Sequence, residues 1–190
     1  MTCTTFRAAL ELAEQRGDSI TFGGGEPTIH PQFWEFFGLA IGRFHDEPGI
    51  YMVTNGKKTE TALALAALAK GGIMGVSLSQ DEYHDRIEPE VIQAFTRDKY
   101  ANTMYGFVHR SDTDNRDMRG ISSPNRIIMA GRAKTNGIGN VDECFCDDIV
   151  VEPDGRLWEC GCRTRAFGTV FAPAIPDDYW ENESRCSRAA

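Results

Sequence analysis

Apolar positions in this chain alternate between helical spacing and short β-prone runs for about two thirds of its length. Phe6, Ala9, Leu10 and Ala13 share one helical face, and Gly17 ends that helix. Ser19 to Phe22 reads as a strand. Pro31 opens a second helix whose apolar face is Phe33, Phe36, Phe37, Ala40, Ile41 and Phe44. The same pattern predicts strands over Ile50 to Thr54, Ile73 to Leu78, Thr103 to His109 and Arg126 to Met129. Helices fall between them, over Thr59 to Lys70 and Pro89 to Arg97, and the polar stretch Ser111 to Ser123 reads as a loop.

Repeated strand–helix units imply a parallel sheet covered by helices, as an open sheet or as part of a barrel. A βα unit supplies a strand before its helix, yet here the first element is a helix, so the pattern lacks one strand. From about Gly137 cysteines and acidic residues replace the apolar periodicity. Asp148 to Cys160 reads as a hairpin turning at Pro153-Asp154-Gly155. The change of character divides the chain into residues 1–136 and a cysteine-rich extension over 137–190, with an irregular tail after Pro173.

Composition narrows the possibilities. A chain of 190 residues fits one domain with a small appendage, and 41% hydrophobic with 25% charged residues is ordinary for a soluble protein. The net charge of -8 argues against a nucleic-acid partner, because phosphate binding needs a basic face. No apolar run approaches the roughly 20 residues that cross a bilayer. The amphipathic, charged stretch from Thr4 to Arg16 is unlike the core of a signal peptide. The expected setting is cytoplasmic, without a membrane partner.

Six cysteines, Cys3, Cys144, Cys146, Cys160, Cys162 and Cys186, then call for an account. Clustered cysteines in a chain without an export signal are more often metal ligands than disulfides. The histidines His30, His45, His84 and His109 are scattered and form no metal-ligand spacing.

The run Gly23-Gly24-Gly25-Glu26-Pro27-Thr28 follows the Ser19–Phe22 strand and precedes the Pro31 helix. Glycines let a backbone turn sharply and approach a ligand closely, and α/β proteins place ligands at the carboxyl ends of their strands. A dinucleotide-binding G-x-G-x-x-G fits poorly. Thr28 occupies the third glycine position, Pro27 interrupts the turn, and no acidic residue ends the following strand to hold a ribose.

Gly23 to Pro31 instead resembles the second-strand motif of radical S-adenosylmethionine enzymes. In that family the loop backbone and the carboxylate hold the methionyl amino group of the cofactor. Gly24, Gly25, Glu26 and Pro27 would take those positions. Val53-Thr54-Asn55-Gly56 is similar to the third-strand ending, which brings Thr54 and Asn55 near the cofactor. Val76-Ser77-Leu78-Ser79 looks like the fourth strand, whose polar residues bond the ribose or the cofactor carboxylate, a role that falls to Ser77 and Ser79. Tyr105-Gly106-Phe107 corresponds to the fifth, and Gly131-Arg132-Ala133 resembles the sixth, where Arg132 would pair with the cofactor carboxylate. The fold this implies is α/β, a partial (β/α)6 TIM-like barrel missing its first strand, with a small cysteine-rich C-terminal extension.

One absence qualifies the implied activity. The family holds its radical four-iron cluster on a C-x3-C-x2-C loop after the first strand, and the sequence contains no such motif. The expectation is that Met1 is an internal or truncated start, that the radical cluster is not supported by these residues, and that catalytic residues are unassigned.

The extension, in contrast, resembles the SPASM and twitch extensions that bind auxiliary iron–sulfur clusters. Cys144, Gly155 and Cys160 match their opening C-x(9–15)-G-x4-C signature. A single site would draw its ligands from Cys144, Cys146, Cys160, Cys162 and Cys186. Zinc held by Cys144-x-Cys146 and Cys160-x-Cys162 is the alternative. Extensions of this type often accompany peptide modification, which makes a peptide the substrate class that the resemblance brings forward. The rival reading is a non-catalytic remnant, either binding S-adenosylmethionine or stabilised by zinc as an interaction protein.

Overall fold

The computed structural model describes residues 1–44, 49–79, 85–96, 108–109, 135–137, 149–161 and 163–179. The chain forms two compact units, one of Ala13–Ser122 and the other of Met1–Leu12 together with Ser123–Ala190. Among the described residues no helix is long and apolar enough to cross a membrane.

Helix α1 spans Cys3–Arg16. Its start follows from Thr2, whose hydroxyl accepts the Thr5 backbone N–H at 3.1 Å and so satisfies a donor the first turn would leave unpaired. Its end follows from Gly17 at φ +70. The chain there folds back so that the Asp18 N–H reaches the Ala13 carbonyl at 3.0 Å, a closure that favours glycine.

The Ala13–Ser122 unit holds strands β1 (Ile20–Phe22), β2 (Ile50–Thr54), β3 (Gly75–Leu78) and β4 (Val108–His109), with helices α2 (Phe33–Phe44), α3 (Thr59–Lys70) and α4 (Pro89–Thr96) between them. The strands are parallel and lie in sequential order, β1-β2-β3-β4. Ile20 pairs with Ile50, Tyr51 with Gly75 and Val76 with Val108. This register puts Phe22, Met52, Val76 and Leu78 on one face. Met52, Val76 and Leu78 are fully buried there, Phe22 meets Phe37 of α2 edge to face, and Leu78 and Val91 of α4 both approach Gly56. Thr21, Tyr51, Val53 and Ser77 lie on the opposite face, as strand alternation requires. The phenylalanine face expected for α2 is the one that is buried, through Phe33, Phe36, Phe37 and Phe44.

The expected partial barrel is not formed. β1 and β4 are the two edges of one parallel sheet, and among the described residues no strand joins them. Closure requires strand tilt and stagger to match around a full circle, whereas the described parallel strands follow one another side by side as an open row of four. The remaining described strands belong to a separate antiparallel sheet. Alternating helix and strand patterns predict parallel pairing equally well for open and closed sheets, so the barrel was an inference from resemblance that the observed topology overturns.

That second sheet contains β5 (Val150–Val151), β6 (Arg156–Trp158), β7 (Ala166–Thr169) and β8 (Ala172–Pro173), in the order β5-β6-β7-β8. Leu157, Phe167, Val170 and Tyr179 form its buried cluster, with Ala8, Ala9 and Leu12 of α1 packed against it. The hairpin predicted around Pro153-Asp154-Gly155 is the β5–β6 connection, and β7 and β8 extend its sheet up to Pro173, where the tail read as irregular begins. The predicted strand at Arg126–Met129 lies outside the described residues, as does most of Thr103–His109.

Candidate functional site

The carboxyl ends of β1 and β2 meet at Glu26. After β1 the backbone passes through Gly23, Gly24 and Gly25, all exposed. Gly24 adopts φ +110, a conformation that excludes an ordinary side chain. A Cβ on any of these three glycines would meet no atom within 4 Å, so the loop presents bare backbone to open space. Glu26 follows in extended conformation as the cap of a single 3-10 turn over Pro27–Ile29, with Pro27 in its first position.

The Glu26 carboxylate is held by four donors. Oε1 accepts the Thr28 backbone N–H at 3.1 Å, the Thr28 hydroxyl at 2.7 Å and the Thr54 hydroxyl at 3.0 Å. Oε2 accepts the Asn55 backbone N–H at 2.6 Å. Thr28 and Thr54 are buried, whereas Glu26 and Asn55 are half-buried. The carboxylate thus bridges the loop after β1 to the end of β2, with one side turned toward buried hydroxyls.

Neighbouring strand ends are tied to the same point. Thr54 Oγ1 accepts the Gly56 N–H at 3.2 Å, and the Thr54 carbonyl accepts the Ser79 N–H at 2.7 Å. Gly56 sits at φ +74, a conformation that favours glycine, and a Cβ there would lie 2.6 Å from Leu78 Cδ1 and have to displace it. Asn55 Oδ1 accepts the Lys57 N–H at 3.0 Å, and the Lys57 ammonium pairs with Asp85.

Gly24, Gly25, Glu26, Pro27, Thr54 and Asn55 therefore come together. Ser79 is buried beside them at the end of β3. Ser77 lies farther down β3, fully buried and hydrogen-bonded to the Tyr51 hydroxyl. Arg132 lies outside the described residues. Sequence reasoning quoted Thr28 within the motif but gave it no role. The signal available was its place two residues after a carboxylate that precedes a proline, the spacing at which a capping side chain meets a backbone N–H.

Of the cysteines assigned to a metal, Cys160 alone is described, and Cys144, Cys146, Cys162 and Cys186 lie outside the described residues. Cys160 is buried, with its sulfur 4.0 Å from the Thr164 hydroxyl. Its carbonyl accepts the Arg163 N–H at 3.0 Å, closing a tight turn. Arg163 stands at φ +56, a conformation uncommon for a residue with a side chain. Its guanidinium reaches Glu152 Oε1 at 2.8 Å. Glu152 is buried and also accepts the Trp158 indole N–H at 2.9 Å and Arg156 at 3.1 Å. Among the described residues, no group of three or more His, Cys, Asp or Glu side chains is placed to hold a metal ion.

Gly155 of the hairpin turn stands at φ +90, where a Cβ would crowd Thr5 and Val170 at 3.2 and 3.3 Å. Packing and turn geometry together account for that glycine. Beside it the Asp154 carboxyl is held below the usual carboxylate range, chiefly by the Arg156 backbone N–H and further by its guanidinium. No family model, curated protein or solved structure matches the chain.

Proposed function

We propose that this chain binds S-adenosylmethionine at the carboxyl ends of its parallel strands, as a cytoplasmic protein of the radical S-adenosylmethionine type. One observation carries the reading: a glutamate after a three-glycine loop, fixed by four donors, with an oxygen that still has acceptor capacity. An ammonium needs acceptors, and a glycine loop offers carbonyls without side chains in the way. Glu26 would take the cofactor's amino group, with Gly24, Gly25, Thr54 and Asn55 around it and Ser79 and Arg132 toward its ribose or carboxylate. Ser77 is already engaged by Tyr51, which makes it a structural partner of the strand in this reading.

In the family the bound cofactor, reduced by a four-iron cluster, supplies a carbon radical. The ligands for that cluster are not among these residues, so the chain's own contribution is binding and orientation. Cys144, Cys146, Cys160, Cys162 and Cys186 would hold an auxiliary iron–sulfur cluster, and a peptide is the substrate class proposed.

Equilibrium dialysis with S-adenosylmethionine tests the site. Glu26→Gln places an NH2 against either the Asn55 N–H or the threonine donors. A lost charge-assisted hydrogen bond costs about 1.5–3 kcal/mol, or roughly 10- to 150-fold in affinity. Equal binding by both proteins would refute the role of Glu26. Anaerobic reconstitution with iron and sulfide, followed by metal analysis, tests the cysteines. Zinc at one per chain without iron would replace the cluster reading with the zinc one.

A further inference from the structure

We infer that Thr28 and Thr54 are the positioning residues of this site, closing Glu26 Oε1 so that Oε2 alone receives the ligand's N–H. The inference rests on the S-adenosylmethionine reading and goes beyond it, by naming which oxygen binds and what fixes it.

The argument is one of capacity. A carboxylate oxygen carries two in-plane lone pairs. Oε1 already accepts three donors, the Thr28 N–H, the Thr28 hydroxyl and the Thr54 hydroxyl, and has none left. Oε2 accepts one, the Asn55 N–H, and keeps one lone pair. Both threonine side chains are nearly inaccessible, at 4% and 1% exposure, so water cannot replace them at Oε1. The Thr54 hydroxyl is itself oriented, because it accepts the Gly56 N–H at 3.2 Å and must turn its own proton toward Glu26.

A carboxylate held in this way offers a single acceptor position at a fixed direction. That suits one N–H of a primary ammonium, whereas a guanidinium that bonds through two parallel N–H groups would need both oxygens. The remaining ammonium hydrogens are left for backbone carbonyls, which the exposed Gly23–Gly25 loop can supply.

The test uses the full 190-residue chain labelled with nitrogen-15, in wild-type form and as Thr28→Val, Thr28→Ser, Thr54→Val and Thr54→Ser. The first readout needs no ligand. The Asn55 amide proton reports its short bond to Oε2, so its resonance should move in both valine variants and stay in place in both serine variants. The second readout is S-adenosylmethionine affinity, expected to fall about tenfold or more in the valine variants and to stay within about twofold in the serine variants.

An Asn55 resonance unmoved by either valine, or serine variants that bind as poorly as the valine ones at unchanged melting temperature, would overturn the inference. If valine at position 28 prevents folding, the Thr54 pair reads the same oxygen from the other strand. Failure of the wild-type protein to bind S-adenosylmethionine would refute the functional reading instead, while the Asn55 readout would still decide whether the threonines fix Glu26.

Discussion

One substitution, glycine to alanine, should act in opposite directions at two positions. Gly168 lies in β7 at φ +82, and an added Cβ would stand 2.4 Å from the Ala172 carbonyl oxygen. An L-residue in left-handed backbone costs about 1–2 kcal/mol. The obstacle is backbone rather than a flexible side chain, so relief requires β7 and β8 to separate. That strains the Ala174 N–H bond to the Phe167 carbonyl at 2.8 Å and adds about 1–3 kcal/mol of overpacking. Gly168→Ala should therefore destabilise by about 2–5 kcal/mol, a large part of the roughly 5–15 kcal/mol that holds a typical domain. Gly38 is exposed in the interior of α2, and a Cβ there meets nothing within 4 Å. Gly38→Ala should stabilise by about 0.5–1 kcal/mol through reduced unfolded-state entropy. Urea unfolding followed by tryptophan emission measures the first effect, in a Trp34→Phe background so that the remaining tryptophans lie in the perturbed unit. Far-ultraviolet dichroism measures the second. A Gly168→Ala loss below about 1 kcal/mol would refute the steric argument, as would equal effects at the two sites.

Three further outcomes follow from the same geometry. Glu152→Ala should cost about 1–2 kcal/mol and shift Trp158 emission to the red, because the indole N–H at 2.9 Å loses its acceptor. The estimate is small because Arg156 and Arg163 are more than half exposed and regain water. Gly56→Ala should lower the urea midpoint by the equivalent of about 1–3 kcal/mol, since its φ of +74 and the 2.6 Å approach to Leu78 Cδ1 oppose a side chain, although that methyl can give way in part. Asp154 contributes stability that depends on pH in a defined direction. Its carboxyl is lowered in the folded chain, so the contribution is present above the unfolded value near ~3.9 and lost as pH falls through the lower folded value. Asp154→Asn should be less stable than wild type at neutral pH, with the gap closing below about pH 4. A gap that widened in acid would contradict the assignment.

Local signals were legible where one residue decides one event. Gly17 ends α1 and Gly71-Gly72 ends α3 because left-handed backbone at Gly17 and Gly72 lets following N–H groups reach back into the helix. β2 spans the Ile50–Thr54 run predicted as a strand. That the parallel sheet stays open was not legible, because closure depends on partners for β1 and β4 that periodicity does not specify. The site was legible only in part for a similar reason. Glu26 and its glycines stand together in sequence, but its bonds to Thr54 and Asn55 span 28 and 29 residues, and nothing local announces which threonine hydroxyl will face it. The Glu152–Arg163 pair escaped notice because it depends on an arginine at φ +56, a backbone state that the residue type argues against.

The position of α1 has a consequence for how the protein is made. Thr5, Ala8, Ala9 and Leu12 find their packing partners around Gly155, Leu157 and Phe167. At roughly 5–20 residues per second, the ribosome needs on the order of 10–30 s to add the ~150 residues that separate them. A helix of 14 residues is marginal alone, so for that interval Ala8, Ala9 and Leu12 have no apolar cluster to join. The cluster around Leu157 and Phe167 cannot complete itself until a helix made about 150 residues earlier docks on it, so its folding is a long-range event.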